Sequence, residues 1–188
     1  MLQTSKYHAT QTDMANELAI IESAKNDIAR FAPIYDKYYE QIFRFIFQRL
    51  DDKEQAFDAT QQVFLKAMDS LKKYEFRGVP FASWLYRIAS TEVHNLFRAQ
   101  KTQRTVNIDS VSVYDIIEEI QENKVDKYHD KIVEIIGNEL NEDDLQLIEM
   151  RFFEKRSFKE IAEILDMTEN NAKVKTYRIL ERLKKQLK

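Results

Sequence analysis

The stretch that decides the fold is residues 157–182, which read SFKEIAEILDMTENNAKVKTYRILER. Ser157 followed three residues later by Glu160 predicts a capping box, in which each side chain accepts a hydrogen bond from an orphan backbone amide at a helix start. A short helix with one apolar side follows, and residues 166–168 form the next turn, with Thr168 as the cap of a final helix. Two helices joined by such a turn are typical of a helix-turn-helix.

The final helix separates an apolar side from a cationic side. Its inward-facing residues, which recur at helical spacing, are Ala172, Ile179, Leu180, Leu183 and Leu187. Its outward stripe, at i, i+4, i+7 and i+11, is Asn171, Lys175, Arg178 and Arg182. Residues 151–188 carry 11 Lys and Arg against 6 Asp and Glu. This face suits phosphate contact and base reading in the major groove, and a solvated basic face is the alternative.

An acidic connector precedes the helix-turn-helix. Residues 105–150 carry 3 Lys and Arg against 13 Asp and Glu, a net charge of −10. We expect residues 107–123 to be extended or disordered in isolation, and residues 126–139 to be helical. Asn141 with three acids after it predicts the start of a further helix. The apolar residues of that helix are Leu145, Ile148, Met150 and Phe152.

Apolar residues at helical spacing predict three long helices in the first half of the chain, at residues 31–50, 53–74 and 81–98. The residues that the third helix is predicted to bury are Trp84, Leu85, Ile88, Ala89, Val93 and Leu96. Before the first helix, residues 1–26 form a polar extension to which we assign no function, with a helical turn or two expected at residues 14–21. The result is an all-α fold of two helical domains, an N-terminal bundle and a C-terminal helix-turn-helix bundle, joined by an acidic linker.

The one loop with Gly and Pro in the first half directly precedes the third helix. The loop carries Tyr74, Phe76 and Phe81, and the outer side of the helix carries hydrogen-bonding and cationic residues. Those outer residues are Arg87, Thr91, His94, Asn95 and Arg98. Bases stack on aromatic rings while cations follow the backbone, so this combination favours single-stranded nucleic acid over a merely solvated face.

Composition limits the chemistry. The chain has 188 residues with only two Gly and two Pro, which argues against hairpins and tight βα loops. It has no Cys, which excludes disulfides, thiolate metal ligation and a Cys nucleophile. The three His residues lack partners at metal-ligand spacing, so we expect no catalytic centre and no cofactor. The absence of a signal sequence or a long apolar run favours a cytoplasmic protein without membrane insertion.

Three segments resemble motifs of one family, the extracytoplasmic-function group of sigma-70-type initiation factors of bacterial RNA polymerase. Residues 58–67 (DATQQVFLKA) resemble its polymerase-binding helix. Residues 81–89 (FASWLYRIA) resemble its helix that recognises and opens the minus-ten element. Residues 158–165 (FKEIAEIL) resemble the start of its minus-thirty-five reader. The resemblance covers residues 27–104 and 130–188, with the motifs in the family's order.

The resemblance implies roles for three sets of residues. Those implied to dock on the coiled coil of the largest polymerase subunit are Asp58, Gln61, Gln62, Phe64 and Leu65. Those implied to hold an everted minus-ten base and the strand beside it are Tyr74, Phe76, Arg77, Phe81, Trp84, Arg87, Thr91, Asn95 and Arg98. Those implied to meet the minus-thirty-five major groove are Asn170, Asn171, Lys173, Val174, Lys175, Tyr177 and Arg178.

The chain departs from the family pattern in both DNA-reading helices. Thr91 and Asn95 stand where the family commonly has Asn and Asp. Asn170 and Ala172 replace a usual Gly and Val, and Val174 replaces a frequent Ser. The bases that this chain reads therefore do not carry over from the family.

The implied domains are a polar extension at 1–26, sigma region 2 at 27–104, an acidic linker at 105–129 and sigma region 4 at 130–188. The implied partners are bacterial core RNA polymerase, promoter DNA (duplex upstream, single-stranded at the minus-ten element) and an anti-sigma factor, often membrane-tethered. One alternative is a helix-turn-helix regulator whose first domain senses a ligand or dimerises. Another is a purely protein-binding helical scaffold, against which the cationic stripe argues.

Overall fold

The structure is a computed structural model, and it describes residues 11–100, 110–120, 125–138 and 140–187. All regular structure in these ranges is helical, which confirms the predicted all-α fold. The chain forms two compact units, unit 1 (Met1–Thr105) and unit 2 (Val106–Lys188). The α-helices are α1 Gln11–Ala24, α2 Ala32–Leu50, α3 Lys53–Ser70, α4 Phe81–Gln100, α5 Ser110–Glu119, α6 Val125–Asn138, α7 Glu142–Ile148, α8 Phe158–Ile164 and α9 Glu169–Leu187.

Unit 1 is built around α2, α3 and α4, which pack against one another. The residues at the centre of its core, all fully buried, are Ile42, Ile46, Val63 and Leu85. The tight connection between α2 and α3 has a local cause. Asp51 adopts a left-handed conformation (φ 52°) that ends α2, and the Asp52 carboxylate then accepts a hydrogen bond from the Gln55 amide at 3.0 Å. The three helices predicted from periodicity are therefore present, with α3 ending in a 3₁₀ turn, Leu71–Lys73.

The N-terminal segment is more regular than the predicted helical turn or two at residues 14–21. Residues 11–24 form the continuous helix α1, which packs against α2 and α4. Ile21 and Ala24 are buried, and so is the carboxylate of Glu17. Sequence periodicity underestimated the length of this helix because only a few of its residues face the core. The first ten residues lie outside the described ranges.

Residues 107–123 are expected to be extended or disordered in isolation, and in the folded chain the described part of this segment is helical. Residues 110–119 form the helix α5, which packs against α6 in unit 2. Val113, Ile116 and Ile117 are completely buried. Their spacing of i, i+3 and i+4 is that of an amphipathic helix, and it was hidden by the acids between and after them. Residues 107–109 and 121–123 of this prediction lie outside the described ranges.

The helix-turn-helix forms as its capping signals predict. The Ser157 hydroxyl accepts a hydrogen bond from the Glu160 amide (3.2 Å), and the Glu160 carboxylate accepts one from the Ser157 amide (3.1 Å). Asp166 takes a left-handed conformation (φ 53°) in the turn, and the Thr168 hydroxyl accepts from the Asn171 amide at 3.2 Å. The preceding helix, α7, starts at its predicted Asn141 cap and continues as a π-helical turn, Glu149–Phe153.

Candidate nucleic-acid and polymerase interfaces

The outer face of α9 presents all of the side chains predicted to meet duplex DNA. The seven exposed residues are Asn170, Asn171, Lys173, Val174, Lys175, Tyr177 and Arg178. Thr176, between them in sequence, is buried, and its hydroxyl donates to the Ala172 carbonyl at 2.9 Å within the helix. Ala172 itself is fully buried and allows α8 and α9 to approach closely. The helix thus separates an apolar inner side from a polar and cationic outer side, as predicted.

Two residues of this face are held by other helices of unit 2. Arg182, predicted to continue the outward stripe, forms an ion pair with Asp144 of α7 at 2.6 Å. The Tyr177 hydroxyl donates to the Glu119 carboxylate of α5 at 3.3 Å. The Arg182 side chain remains 48% exposed, so this ion pair engages the end of the outward stripe without burying it.

The aromatic loop of unit 1 differs from the prediction in which rings are accessible. Tyr74 and Phe81, both predicted to contact a base, are buried, at 6% and 1% exposed. Their rings pack edge to face with centroids 4.9 Å apart, and each lies 5.2 Å from the Trp84 ring. Phe76 is 44% exposed, and Trp84 is half-buried. Phe76 and Trp84 are therefore the rings available for stacking.

The turn at the tip of this loop depends on glycine. Gly78 has φ 71°, a left-handed value that other residues adopt only at a cost. Val79 after it is buried, whereas Arg77 before it is exposed. The tip consequently projects Phe76 and Arg77 outward while Val79 anchors it.

The outer side of α4 continues from the loop as a polar face. Thr91, Asn95 and Arg98 are exposed or partly exposed, and Arg87 is half-buried. The only carboxylate at the margin of this face, Glu92, forms an ion pair with Lys66 of α3, which offsets its charge. The core prediction for α4 is partly wrong, since some of its large residues are only half-buried at this face. Those residues are Trp84, Ile88 and Leu96.

The predicted polymerase-docking face lies on α3. Asp58 and Leu65 are exposed, and the two glutamines, Gln61 and Gln62, lie between them in sequence. Phe64, also predicted to contact the partner, is only 1% exposed, because its ring packs against two tyrosine rings of α2. Phe64 lies beside the exposed Leu65 in the sequence, so its burial was not evident from the sequence alone.

The docking residues predicted from the sequence do not include one exposed aromatic residue of α3. Phe57 is 49% exposed, as is Leu65. Phe57, Gln61 and Leu65 lie at i, i+4 and i+8, so they share one side of α3. Helical spacing alone could have placed Phe57 in the docking set, since a large exposed apolar side chain near another one marks an interaction surface.

A ladder of aromatic rings on α2 was also missed. Tyr35, Tyr39, Phe43 and Phe47 follow one another at i+4 spacing, and successive ring centroids lie 5.2, 6.4 and 5.9 Å apart. Burial, and secondarily Tyr35, raises the pKa of the Tyr39 hydroxyl. The rings of Tyr35 and Tyr39 both pack on Phe64. The ladder therefore supports the inner side of the helix that carries the docking face.

The parts of the chain that the structure covers contain no cluster suited to holding a metal ion. In them, no group of three or more His, Cys, Asp or Glu side chains is placed to hold a metal ion. His94 is exposed on α4, and His129 contacts Asp130 and lies 5.6 Å from the Tyr114 ring. Over the same residues, no helix combines the length and apolarity needed to cross a bilayer.

Comparison with known families and proteins assigns the two units. A model of Sigma-70 region 2 matches residues 34–103, and a model of Sigma-70 region 4 matches residues 137–183. Together the two ranges cover more than half of the chain. The extracytoplasmic-function RNA polymerase sigma factor BldN of Streptomyces coelicolor is 25% identical over 185 residues, covering 93% of this chain and 67% of BldN. The chain belongs to the extracytoplasmic-function group of the sigma-70 family.

Other proteins similar to this sigma factor agree with that assignment. The extracytoplasmic-function RNA polymerase sigma factor SigX of Bacillus subtilis is 27% identical over 164 residues, covering 84% of this chain and 83% of SigX. A chain in the solved structure of CnrH in complex with the cytosolic domain of CnrY superposes with a TM-score of 0.56. That match has 16% identity over 90% of this sigma factor and 95% of the solved chain, and it shows the shared fold. The region 2 match leaves the alternative of a ligand-sensing first domain without support.

Proposed function

We propose that this sigma factor divides promoter recognition between its two units, with residues 27–104 acting as region 2, residues 130–188 as region 4 and residues 105–129 as the linker. The observation that carries the proposal is the pairing of the two matched regions with two separate polar, exposed faces, one on α4 and one on α9. Neither face alone offers enough contacts for tight and specific binding, so core RNA polymerase supplies the remaining affinity.

Unit 2 reads the minus-thirty-five element through α9. An α-helix fits the major groove, where amide and guanidinium side chains can form bidentate hydrogen bonds with base edges. In this proposal Asn171 and Arg178 face the bases, whereas Lys173 and Lys175 contact phosphates. Val174, 38% exposed, is placed to contact a thymine methyl group.

Unit 1 captures the minus-ten element as a single strand. A base turned out of the stack loses its neighbours, at a cost of a few kcal/mol that new stacking contacts offset. Phe76 and Trp84 provide the accessible rings, and the buried rings of Tyr74 and Phe81 pack against Trp84. The residues that follow the strand beyond the loop are Arg77, Arg87, Thr91, Asn95 and Arg98.

Polymerase docking falls to the exposed side of α3. Asp58, Gln61, Gln62 and Leu65 make the contacts, and Phe57 extends the set by one helical turn. Phe64 contributes from inside the unit, where its ring packs α3 against Tyr35 and Tyr39 of α2. The partner is a coiled coil, which an apolar strip flanked by amide and carboxylate side chains suits.

The proposal also includes the compartment in which this sigma factor acts and a partner that regulates it. Core RNA polymerase works in the cytoplasm, so this sigma factor acts there. CnrH, a chain of similar fold, forms a complex with the cytosolic domain of CnrY. By analogy, the proposal includes an anti-sigma factor that covers the polymerase and DNA faces of this chain.

The deciding experiment mixes the full chain with bacterial core enzyme and a library of DNA templates. We expect a stable complex, transcripts that start at a restricted set of templates, and no such transcripts from core enzyme alone. Sequencing the selected templates would give the two recognised elements. A chain that neither binds core enzyme nor directs any transcript, yet retains one DNA site, would contradict the proposal in favour of a simple regulator.

A further inference from the structure

Helix α1 precedes residues 34–103, which the region 2 model matches. Two polar side chains of this segment reach the opposite ends of the aromatic loop, Tyr74–Phe81. Glu17 contacts the backbone where the loop enters α4, and Lys25, directly after α1, contacts the backbone where the loop begins. Glu17 and Lys25 are distant from the loop in the sequence, so these contacts form only in the folded unit.

The Glu17 carboxylate completes the start of α4. One oxygen accepts a hydrogen bond from the backbone amide of Phe81, the first residue of the helix, at 3.2 Å. Pro80 before it offers no side-chain oxygen as a cap, and the first amides of a helix have no partner within the helix. A carboxylate is favourable at this position because the N-terminus of a helix carries partial positive charge. Glu17 thus performs, from a different helix, the work of an N-cap residue.

The second oxygen of Glu17 is held by α2. It accepts hydrogen bonds from the Tyr38 hydroxyl at 2.5 Å and from the Lys37 ammonium at 2.9 Å. Burial, followed by the hydrogen bond to Glu17, raises the pKa of Tyr38 well above its usual range, so this hydroxyl remains a donor. Glu17 is only 5% exposed, and both of its carboxylate oxygens accept hydrogen bonds, so its orientation toward Phe81 is fixed.

Lys25 holds the other end of the loop. Its ammonium donates to the Tyr74 carbonyl at 2.9 Å and lies 5.9 Å from the centre of the Tyr74 ring. It also pairs with Glu22 at 2.7 Å, and its side chain is only 20% exposed. Tyr74 is the residue at which the preceding 3₁₀ turn ends and the backbone becomes extended. The contact therefore fixes the point where the loop departs from the bundle.

We propose that α1 is a brace for the minus-ten loop, and that Glu17 and Lys25 are positioning residues for capture of the extruded base. The inference rests on the proposed function of the loop. With both ends of the loop fixed, the rings of Phe76 and Trp84 are already placed before DNA arrives, and less conformational freedom is lost on binding. Neither residue contacts the DNA.

The brace can be tested first in the free, full-length chain. Trp84 is the one tryptophan of the sequence, and its ring packs against Tyr74 and Phe81, so its fluorescence reports on this loop. Lys25→Met keeps the length of the side chain and removes the donor. We expect red-shifted emission and stronger acrylamide quenching, with helix content by circular dichroism unchanged. Lys25→Arg, which keeps a donor, should restore the wild-type signal, and the exposed Arg30→Met serves as the charge-matched control.

The same variants then enter reconstituted holoenzyme. We expect Lys25→Met to slow promoter opening about two- to tenfold, the range that the net free energy of one hydrogen bond represents. Affinity for core enzyme and for the upstream duplex should not change. Glu17→Gln should act in the same direction, with Asp36→Asn on the surface of α2 as its control.

Templates that carry an abasic site at one minus-ten position at a time distinguish two effects of Lys25→Met. One is a misplaced loop, and the other is a general loss of protein stability. If the brace prepares the loop for one extruded base, the difference between wild type and Lys25→Met disappears when that base is missing and persists at other positions. An equal difference at every position, or unchanged Trp84 fluorescence, would overturn the proposal. A wild-type holoenzyme that opens no template would contradict the function assigned to the loop, and Trp84 fluorescence would still decide whether α1 braces it.

Discussion

Arg178 presents its guanidinium on the exposed side of α9, among the residues proposed to enter the major groove. Replacing it with Ala removes a potential bidentate contact to a base, so we expect binding of holoenzyme to the upstream element to weaken by about 1–3 kcal/mol. Competition binding with the selected promoter and with unrelated duplex measures the loss.

Lys185, exposed two turns later on α9, provides the comparison for Arg178. Lys185→Ala removes the same charge, and we expect it to weaken both duplexes equally and only slightly, because a phosphate contact carries no sequence information. If Arg178→Ala likewise failed to discriminate between the duplexes, the assignment of Arg178 to a base would be wrong.

Single residues also show where reasoning from the sequence stops. Phe64 and Phe81 occur in segments that resemble contact motifs, yet both are 1% exposed because rings from other helices cover them. Helical spacing shows on which side of a helix a residue lies. It does not show how much of the helix surface the neighbouring helices bury. The α9 face was predictable because its cations and amides alternate cleanly with small and aliphatic residues.

At the scale of an element, the capping box of α8 connects sequence to stability most directly. Ser157→Ala removes the hydroxyl that accepts from the Glu160 amide, and we expect unit 2 to lose about 1 kcal/mol of unfolding free energy. For a domain of this size, that loss corresponds to a decrease in melting temperature of about 4–8 °C. Thermal unfolding followed by circular dichroism measures it.

Two comparisons sharpen the test of the capping box. Ser157→Thr retains a hydroxyl at the cap position and should lose less stability. Trp84 belongs to unit 1, so the transition seen by its fluorescence should not move in either variant. A shift of the Trp84 transition equal to that of unit 2 would show that the loss is not local to α8.

Elements differ in how visible they are in the sequence. Helices α2, α3, α4 and α9 have long apolar stripes, and their periodicity predicted them. Helices α1 and α5 are short and rich in polar residues, and their few apolar side chains gain stability only by packing in the folded unit. The brace formed by Glu17 was equally invisible, because it joins residues 64 positions apart.

At the scale of the whole molecule, the uneven charge predicts that promoter binding requires polymerase. The net charge is −3, and the basic C-terminal segment follows an acidic connector. Non-specific DNA affinity comes mainly from counterion release, with dissociation constants of about 10⁻⁴ to 10⁻⁶ M at physiological salt. A chain with a small basic face on an acidic background should therefore bind promoters usefully only within holoenzyme.

The polymerase-docking face gives this expectation a direct test. Gln62→Ala combined with Leu65→Ala should abolish binding to core enzyme, because the energy of a protein interface is concentrated in a few residues. Neither side chain belongs to the buried core, so the fold should persist by circular dichroism. Pull-down of core enzyme is the measurement, and retained binding would place the docking face elsewhere.

A second pair of exposed residues serves as the control for this double substitution. Glu40→Ala with Arg44→Ala removes an ion pair of 2.7 Å from the surface of α2 and leaves the charge balance unchanged. Exposed pairs of this kind contribute about 0–1 kcal/mol to stability, so we expect both folding and core binding to persist.

The helical conformation of α5 limits the distance that the acidic connector can span. Ten residues span about 15 Å as a helix and about 33 Å when fully extended. While Val113, Ile116 and Ile117 stay buried, this part of the connector belongs to a folded unit and does not lengthen the tether. Drawing it out would expose all three side chains to water. Under the proposed function, the span between promoter elements that this chain can bridge is therefore linked to the free energy of unravelling one amphipathic segment.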